Sequence, residues 1–228
     1  MDAVSSLEIR PYRSSDRSAV AEICVRTAAG GGDARGVYSD DSLMPDVYAL
    51  PYVEHAPDLA FVVVDREADG TTDPLVVDDG RLIGYVLGTP DTTAFVGWWR
   101  KEWTPSFRAR HPEVGEVTAA APGYTEEALW RDGTDPERMT RGLDPADLRT
   151  YPAHLHIDLV PEAQGRGLGR RLVRTLCDAL AARGVGGVHL SYDPANTGAR
   201  AFYDRLGFVE LSSSTPHLPV LGLPTGRG

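Results

Sequence analysis

Apolar residues along this chain keep two rhythms, and the changes between them predict its elements. Ser6–Tyr12 reads as a first strand closed by Pro11, and Ser14, Ser15 or Asp16 can cap the helix that follows. That helix buries Val20, Ile23 and Cys24 and stops at the glycine triplet Gly30–Gly32. Residues 33–57 are mixed in character and predict short helical turns. Leu59–Asp65 and Leu82–Gly88 are apolar and rich in β-branched residues, as buried strands are, and predict an antiparallel pair. Between them lies a polar, mobile excursion over 66–74, with Asp79-Gly80 as the turn into the second strand. His154–Val160 is another strand. Leu172, Val173, Leu176, Cys177 and Leu180 then follow the three-and-four spacing of a helix running to Ala182. Val188–Tyr192 completes a β-α-β crossover, which favours parallel neighbours. A helix at Ala199–Leu206 and paired strands at Phe208–Leu211 and Leu218–Leu223 close the chain, with a frayed tail at 225–228.

The stretch 89–151 departs from both rhythms. A connection of this length inside a compact domain contains helices or forms a lid. Phe95, Trp98, Trp99, Trp103 and Phe107 crowd its first part, either packing helices onto the sheet or lining a substrate groove. Residues 119–123 and 132–136 carry turn-forming types. With no linker or repeat, 1–228 is expected to be a single domain.

The richest chemistry lies between the strand ending at Val160 and the helix beginning near Leu168. Gly165, Gly167 and Gly169 occupy alternate positions where that helix starts, and Arg166, Arg170 and Arg171 stand among them. Glycine lets a backbone approach a ligand closely. A helix start also offers unpaired N–H groups and the positive end of the macrodipole. The segment is therefore a cradle for a phosphate or pyrophosphate, held by amides from Gly165 through Leu168 to Gly169, with Arg166 and Arg170 as side-chain helpers. A P-loop is excluded, because no Gly-Lys-Ser/Thr ends the glycine run. A dinucleotide fingerprint is excluded too, because Arg170 stands where its third glycine belongs.

Gln164-x-x-Gly167-x-Gly169 resembles the coenzyme A loop of the GNAT acyltransferases. Downstream, Asn196-Thr-Gly-Ala-Arg-Ala-Phe-Tyr203, ending in Gly207-Phe208, resembles the segment that closes the same domain. The resemblance implies an α+β (α/β/α) GNAT fold whose mixed central sheet contains a splayed parallel pair. It implies acetyl-CoA as co-substrate and N-acetyl transfer to a primary amine, on a small molecule or a protein lysine. Ile9-Arg-Pro-Tyr12, Gly84-Tyr-Val-Leu-Gly-Thr89, Trp103-Thr-Pro-Ser-Phe107, Tyr151-Pro152 and Ile157-Asp158 are similar to the carboxy-terminal acetyltransferase-like domain of O-GlcNAcase and its free-standing bacterial relatives. Some members of that group lack the cofactor loop, so a non-catalytic CoA- or peptide-binding module is the alternative.

Site residues follow from residue chemistry and resemblance together. His154, His156 and Asp158 alternate along one strand and share a face. Asp158, an acid in an otherwise apolar strand, is costly there unless paired or functional. The resemblance points it at the acetyl group as general base or as orienter of the amine, with His156 in reserve. It also assigns polarisation of the thioester carbonyl to the N–H of Leu159 or Val160, pantetheine binding to Asn196, and protonation of the leaving thiolate to Tyr203. Asp91 either caps a turn or meets a cationic substrate. Cys24 and Cys177 read as buried free thiols. His154-x-His156 has no neighbouring Cys or acidic pair to complete a zinc pattern, so no metal is expected. A net charge of −10 disfavours nucleic acid and anionic membranes. No run approaches the roughly 20 apolar residues of a span and no basic-then-apolar leader is present, so a cytoplasmic location is expected. Oligomeric state and acceptor identity leave no mark.

Overall fold

The computed structural model describes residues 6–68, 73–112 and 125–226. Part of the 66–74 excursion, the turn residues at 119–123 and the last two residues lie outside them. Strands β1 (Leu7–Pro11), β2 (Ala60–Asp65), β3 (Val76–Val77), β4 (Gly80–Thr89), β5 (Ala153–Leu159), β6 (Gly187–Ser191), β7 (Val209–Glu210) and β8 (Val220–Pro224) form one sheet of order β1-β2-β4-β5-β6-β8-β7, with β3 also on β4. Among the described strands, only β5 and β6 run parallel. The predicted antiparallel pair is β2 with β4, and the two closing strands pair as β7 and β8.

Two helices cover opposite faces of the centre. Successive side chains of a strand point to opposite sides. The side of β4 carrying Tyr85 meets α1 (Arg17–Thr27), with Cys24 close to the tyrosine. The side carrying Gly88 meets α8 (Leu168–Ala181), so closely that a Cβ on Gly88 would lie 2.8 Å from Leu176 Cδ1. The result is the α/β/α layering that the resemblance implies.

The pairing of β5 decides where a ligand fits. It holds β4 from Thr89–His154 to Gly84–Leu159. It pairs with β6 at Ala153–Val188 and His154–His189 only, after which β6 stays with β8 and the parallel pair splays.

Over 89–151 the chain forms α4 (Thr92–Trp98), a π-helical turn at Trp99–Trp103, α5 (Thr104–Arg110), α6 (Glu126–Thr134) and α7 (Pro145–Thr150). The aromatic residues pack: Phe95, Trp99, Trp103 and Phe107 are buried. Two expectations change. Residues 132–134 continue a helix, because Gly133 is there for close approach; a Cβ on it would sit 2.3 Å from the Phe107 ring, and its carbonyl accepts from Trp99 Nε1. Thr225 is buried, and its N–H and hydroxyl donate to Gly186 and Val185 carbonyls. The described end of the chain is thus tied to the turn before β6 instead of fraying.

Beneath the site, His154 is buried between two hydroxyls, Thr92 Oγ1 at 2.8 Å from Nδ1 and Tyr52 OH at 2.9 Å from Nε2. The Thr92 hydroxyl donates to the Pro152 carbonyl, so it accepts from Nδ1–H, and Nε2 accepts from Tyr52. Burial holds His154 well below its ordinary value, and it lowers His189 and His55 as well. Unfolding frees these rings to take protons below about pH 6.5. The unfolded chain then binds more protons, so stability is full above that value and declines as pH falls toward the folded-state values. The urea midpoint is expected to drop on acidification from pH 6.5 to about pH 5, and His154→Gln should flatten the slope. A parallel slope in the variant removes His154 from the account.

Candidate acyl-transfer site

At the end of β5, Pro161 opens a short 3-10 turn (Pro161–Ala163) and Gln164 is extended. Gly165 (φ +72°) and Gly167 (φ +75°) then take left-handed conformations, and Gly167 is the N-cap of α8. A Cβ at either glycine would meet nothing within 4 Å, so open space lies beside them. No side chain caps the helix, which leaves its first-turn amides facing a groove of about 590 Å³. Gly169 differs. A Cβ there would lie 2.9 Å from the Phe202 ring, so it lets α8 and α9 (Thr197–Leu206) close up while its amide stays at the groove.

The opposite wall carries Thr27, Gly31, Asn196 and Tyr203. Asn196 Oδ1 is taken as the cap of α9, accepting from Ala199 N–H at 3.1 Å, which leaves its amide nitrogen for a ligand. Tyr203 is half-buried, and burial together with the Asp158 charge pushes its phenol up, so it keeps its proton. Among the described residues, Arg166, Arg170, Arg171, Arg174 and Arg205 pair with no carboxylate, whereas Arg10, Arg26, Arg35, Arg66, Arg81 and Arg200 all do. These five lie in or near the cradle and its two helices, while Arg108, Arg131 and Arg149, also without a carboxylate, lie in the 89–151 segment.

Strand register separates the two amides at the splay. Val160 N–H donates to the Ile83 carbonyl at 3.1 Å, so it is turned toward β4 and committed. By alternation the N–H of Leu159 faces the side that β6 has left. Val160 is therefore withdrawn as a carbonyl-polarising donor, and Leu159 remains. The Leu159 carbonyl accepts from Gln164 Nε2 at 3.1 Å, which fixes the loop to the strand end.

Asp158 lies opposite Tyr85 in the register and accepts its hydroxyl proton at 2.5 Å on Oδ2. The same oxygen is 2.9 Å from His156 Nε2. Burial opposes the charge, but the His156 ring and hydrogen bonds from His156 and Tyr85 outweigh it and hold the carboxyl below its ordinary value. An ionised carboxylate only accepts, so His156 Nε2 carries the hydrogen and Nδ1 has the lone pair. Cys24 from α1 completes the cluster, its thiol pushed well up by burial. Among the described residues, Cys24, His156 and Asp158 form a group with ligand atoms within 4.8 Å of one another, so the donor missing from the sequence neighbourhood comes from a distant helix.

A second groove, of about 580 Å³, opens along the earlier part of β5. It is lined by His156, Tyr48, Tyr52, Tyr192, Asp132 and Asp193, while Asp158 lines the cradle's groove. Asp91 stands apart as the N-cap of α4, bonded to Ala94 N–H at 2.9 Å. Tyr85 and Thr27 escaped sequence reasoning because each looks like an ordinary element residue. Only the unusual acid opposite them in the fold could have pointed to them.

Comparisons with known proteins agree with this fold. The description "Acetyltransferase (GNAT) family" matches residues 142–208. The crystal structure of SsHAT superposes with a TM-score of 0.80, at 45% identity over 97% of this chain and 99% of that one. A mycothiol acetyltransferase of Beutenbergia cavernae is 33% identical over 114 residues, covering 46% of this chain and 38% of its own length. Protein O-GlcNAcase of Rattus norvegicus is 23% identical over 210 residues, or 90% of this chain and 20% of that one. The chain thus spans well under half the length of these two curated relatives.

Proposed function

This chain belongs to the acetyltransferase (GNAT) family, and on that premise we propose that it transfers an acetyl group from acetyl-CoA to a primary amine. The observation that carries the reading is the convergence of two grooves on one short piece of β5, with Asp158 lining the cradle's groove and His156 the second. In this scheme the amides of Gly165–Gly169 hold the pyrophosphate, helped by Arg166 and Arg170. The Leu159 N–H meets the thioester oxygen as charge develops on it. His156 Nδ1 takes the amine's proton while Asp158 fixes the ring's tautomer and stabilises the imidazolium. The lowered value of Asp158 supports this division, because a carboxylate reluctant to accept a proton suits positioning better than abstraction. The acceptor is a small molecule or a protein lysine. The polar, aromatic lining of the second groove and the similarity to mycothiol acetyltransferases support a small-molecule amine.

The direct test mixes protein, acetyl-CoA and a panel of amines and follows acceptor-dependent thiol release. Thermal stabilisation by CoA without turnover supports the non-catalytic module instead, and equal stabilisation by ATP removes the CoA assignment. Tyr203, the proposed proton donor to the thiolate, gives a finer check. Tyr203→Phe is expected to lower kcat about 10²-fold with CoA affinity little changed. An unaltered kcat takes the phenol out of the mechanism.

A further inference from the structure

Cys24 reaches His156 and Asp158 from across the layer interface, bringing a sulfur, a ring nitrogen and a carboxylate oxygen within 4.8 Å of one another. We propose that these three side chains bind a borderline-soft divalent cation, zinc above all, and that its occupation inhibits the acetyl transfer proposed above.

The donor set selects the metal. Thiolate and imidazole favour zinc and its neighbours over magnesium or calcium, which take oxygen ligands. His156 and Asp158 sit two apart on one strand face, and α1 packs against β4 and β5, so little has to be ordered for the ligands to meet. Three protein ligands leave a fourth position for water. The side of the cluster open to it is the cradle's groove, which Asp158 lines. Tyr85, donating to Asp158 Oδ2, is an outer-sphere partner of the kind that orients metal-bound carboxylates. On binding, the Cys24 S–H bond breaks, its proton leaves to solvent, and the sulfur lone pair forms the metal bond. The carboxylate donates a lone pair, and so does His156 Nε2 once its hydrogen has passed through solvent to Nδ1, which keeps the ring neutral. Nothing is oxidised. A ring and carboxylate held this way cannot take the amine's proton, so the inhibitory half rests on the function proposed above while the binding half does not.

The experiment titrates the whole chain, free of CoA, with cobalt(II) as a spectroscopic stand-in. Wild type should show a thiolate-to-cobalt charge-transfer band saturating at one equivalent and displaced by zinc. Cys24→Ser should abolish the band, and Cys177→Ser should keep it. His156→Gln, losing one ligand, should weaken cobalt binding by more than about 100-fold. No thiolate band in wild type, a band surviving in Cys24→Ser, or one lost in Cys177→Ser overturns the site. Should Cys24→Ser fail to fold, unchanged affinity in folded His156→Gln overturns it alone. Acetylated amine is then quantified by mass spectrometry with and without zinc. Turnover indifferent to zinc overturns the inhibitory half, whereas absence of turnover in metal-free protein counts against the catalytic reading and leaves the cobalt result standing.

Discussion

Gly167→Val is expected to weaken CoA binding about 30-fold or more by calorimetry, with the melting temperature nearly unchanged. The residue sits at φ +75°, and left-handed backbone costs an L residue about 1–2 kcal/mol, more when it is β-branched. The side chain itself would strike nothing, since a Cβ there has no neighbour within 4 Å. The cheap relaxation is for the loop to leave the left-handed region, which turns its amides away from the groove. A loss of about 2 kcal/mol in binding is about 30-fold. Gly169→Val separates the two roles of glycine, since its Cβ would meet the Phe202 ring at 2.9 Å and should lower the melting temperature directly. Wild-type affinity in Gly167→Val would show that these amides do not hold the cofactor.

The second large effect concerns the proton acceptor. His156→Gln is expected to reduce kcat/KM by about 10²- to 10⁴-fold, with CoA affinity preserved. Asp158→Asn should be nearly as damaging for a different reason. Its oxygen Oδ2 holds both His156 Nε2 and the Tyr85 hydroxyl, and an amide in its place no longer demands that Nε2 carry the hydrogen. Wild-type kcat/KM in Asp158→Asn would mean that the carboxylate has only a structural part.

The comparison of chain and fold divides along the range of the interactions. The strands, the cradle and the crossover were legible because each is a local pattern: alternation, a three-and-four repeat, glycines at a helix start. Asp158 was legible as an anomaly, a charge where every neighbour is apolar. What surrounds it was not, since Tyr85 reaches it only through the β4–β5 register, and Cys24 only through the packing of α1. The choice between Leu159 and Val160 likewise needs to know which amide Ile83 takes. Gly133 misled in the opposite direction. Glycine marks a turn by its own preferences, but here it was required by the Phe107 ring, which no local window contains.

The unpaired guanidinium groups around the cradle have a kinetic side. With a formal charge of −10, the protein as a whole repels an approaching polyanion. Around the glycine loop the sign reverses, because those cations have no acidic partner among the described residues. A negatively charged nucleotide diffusing nearby is therefore turned away from most of the surface and drawn, correctly oriented, toward one end of it. Such steering acts on the encounter and fades with ionic strength, so salt slows capture well before it shortens residence.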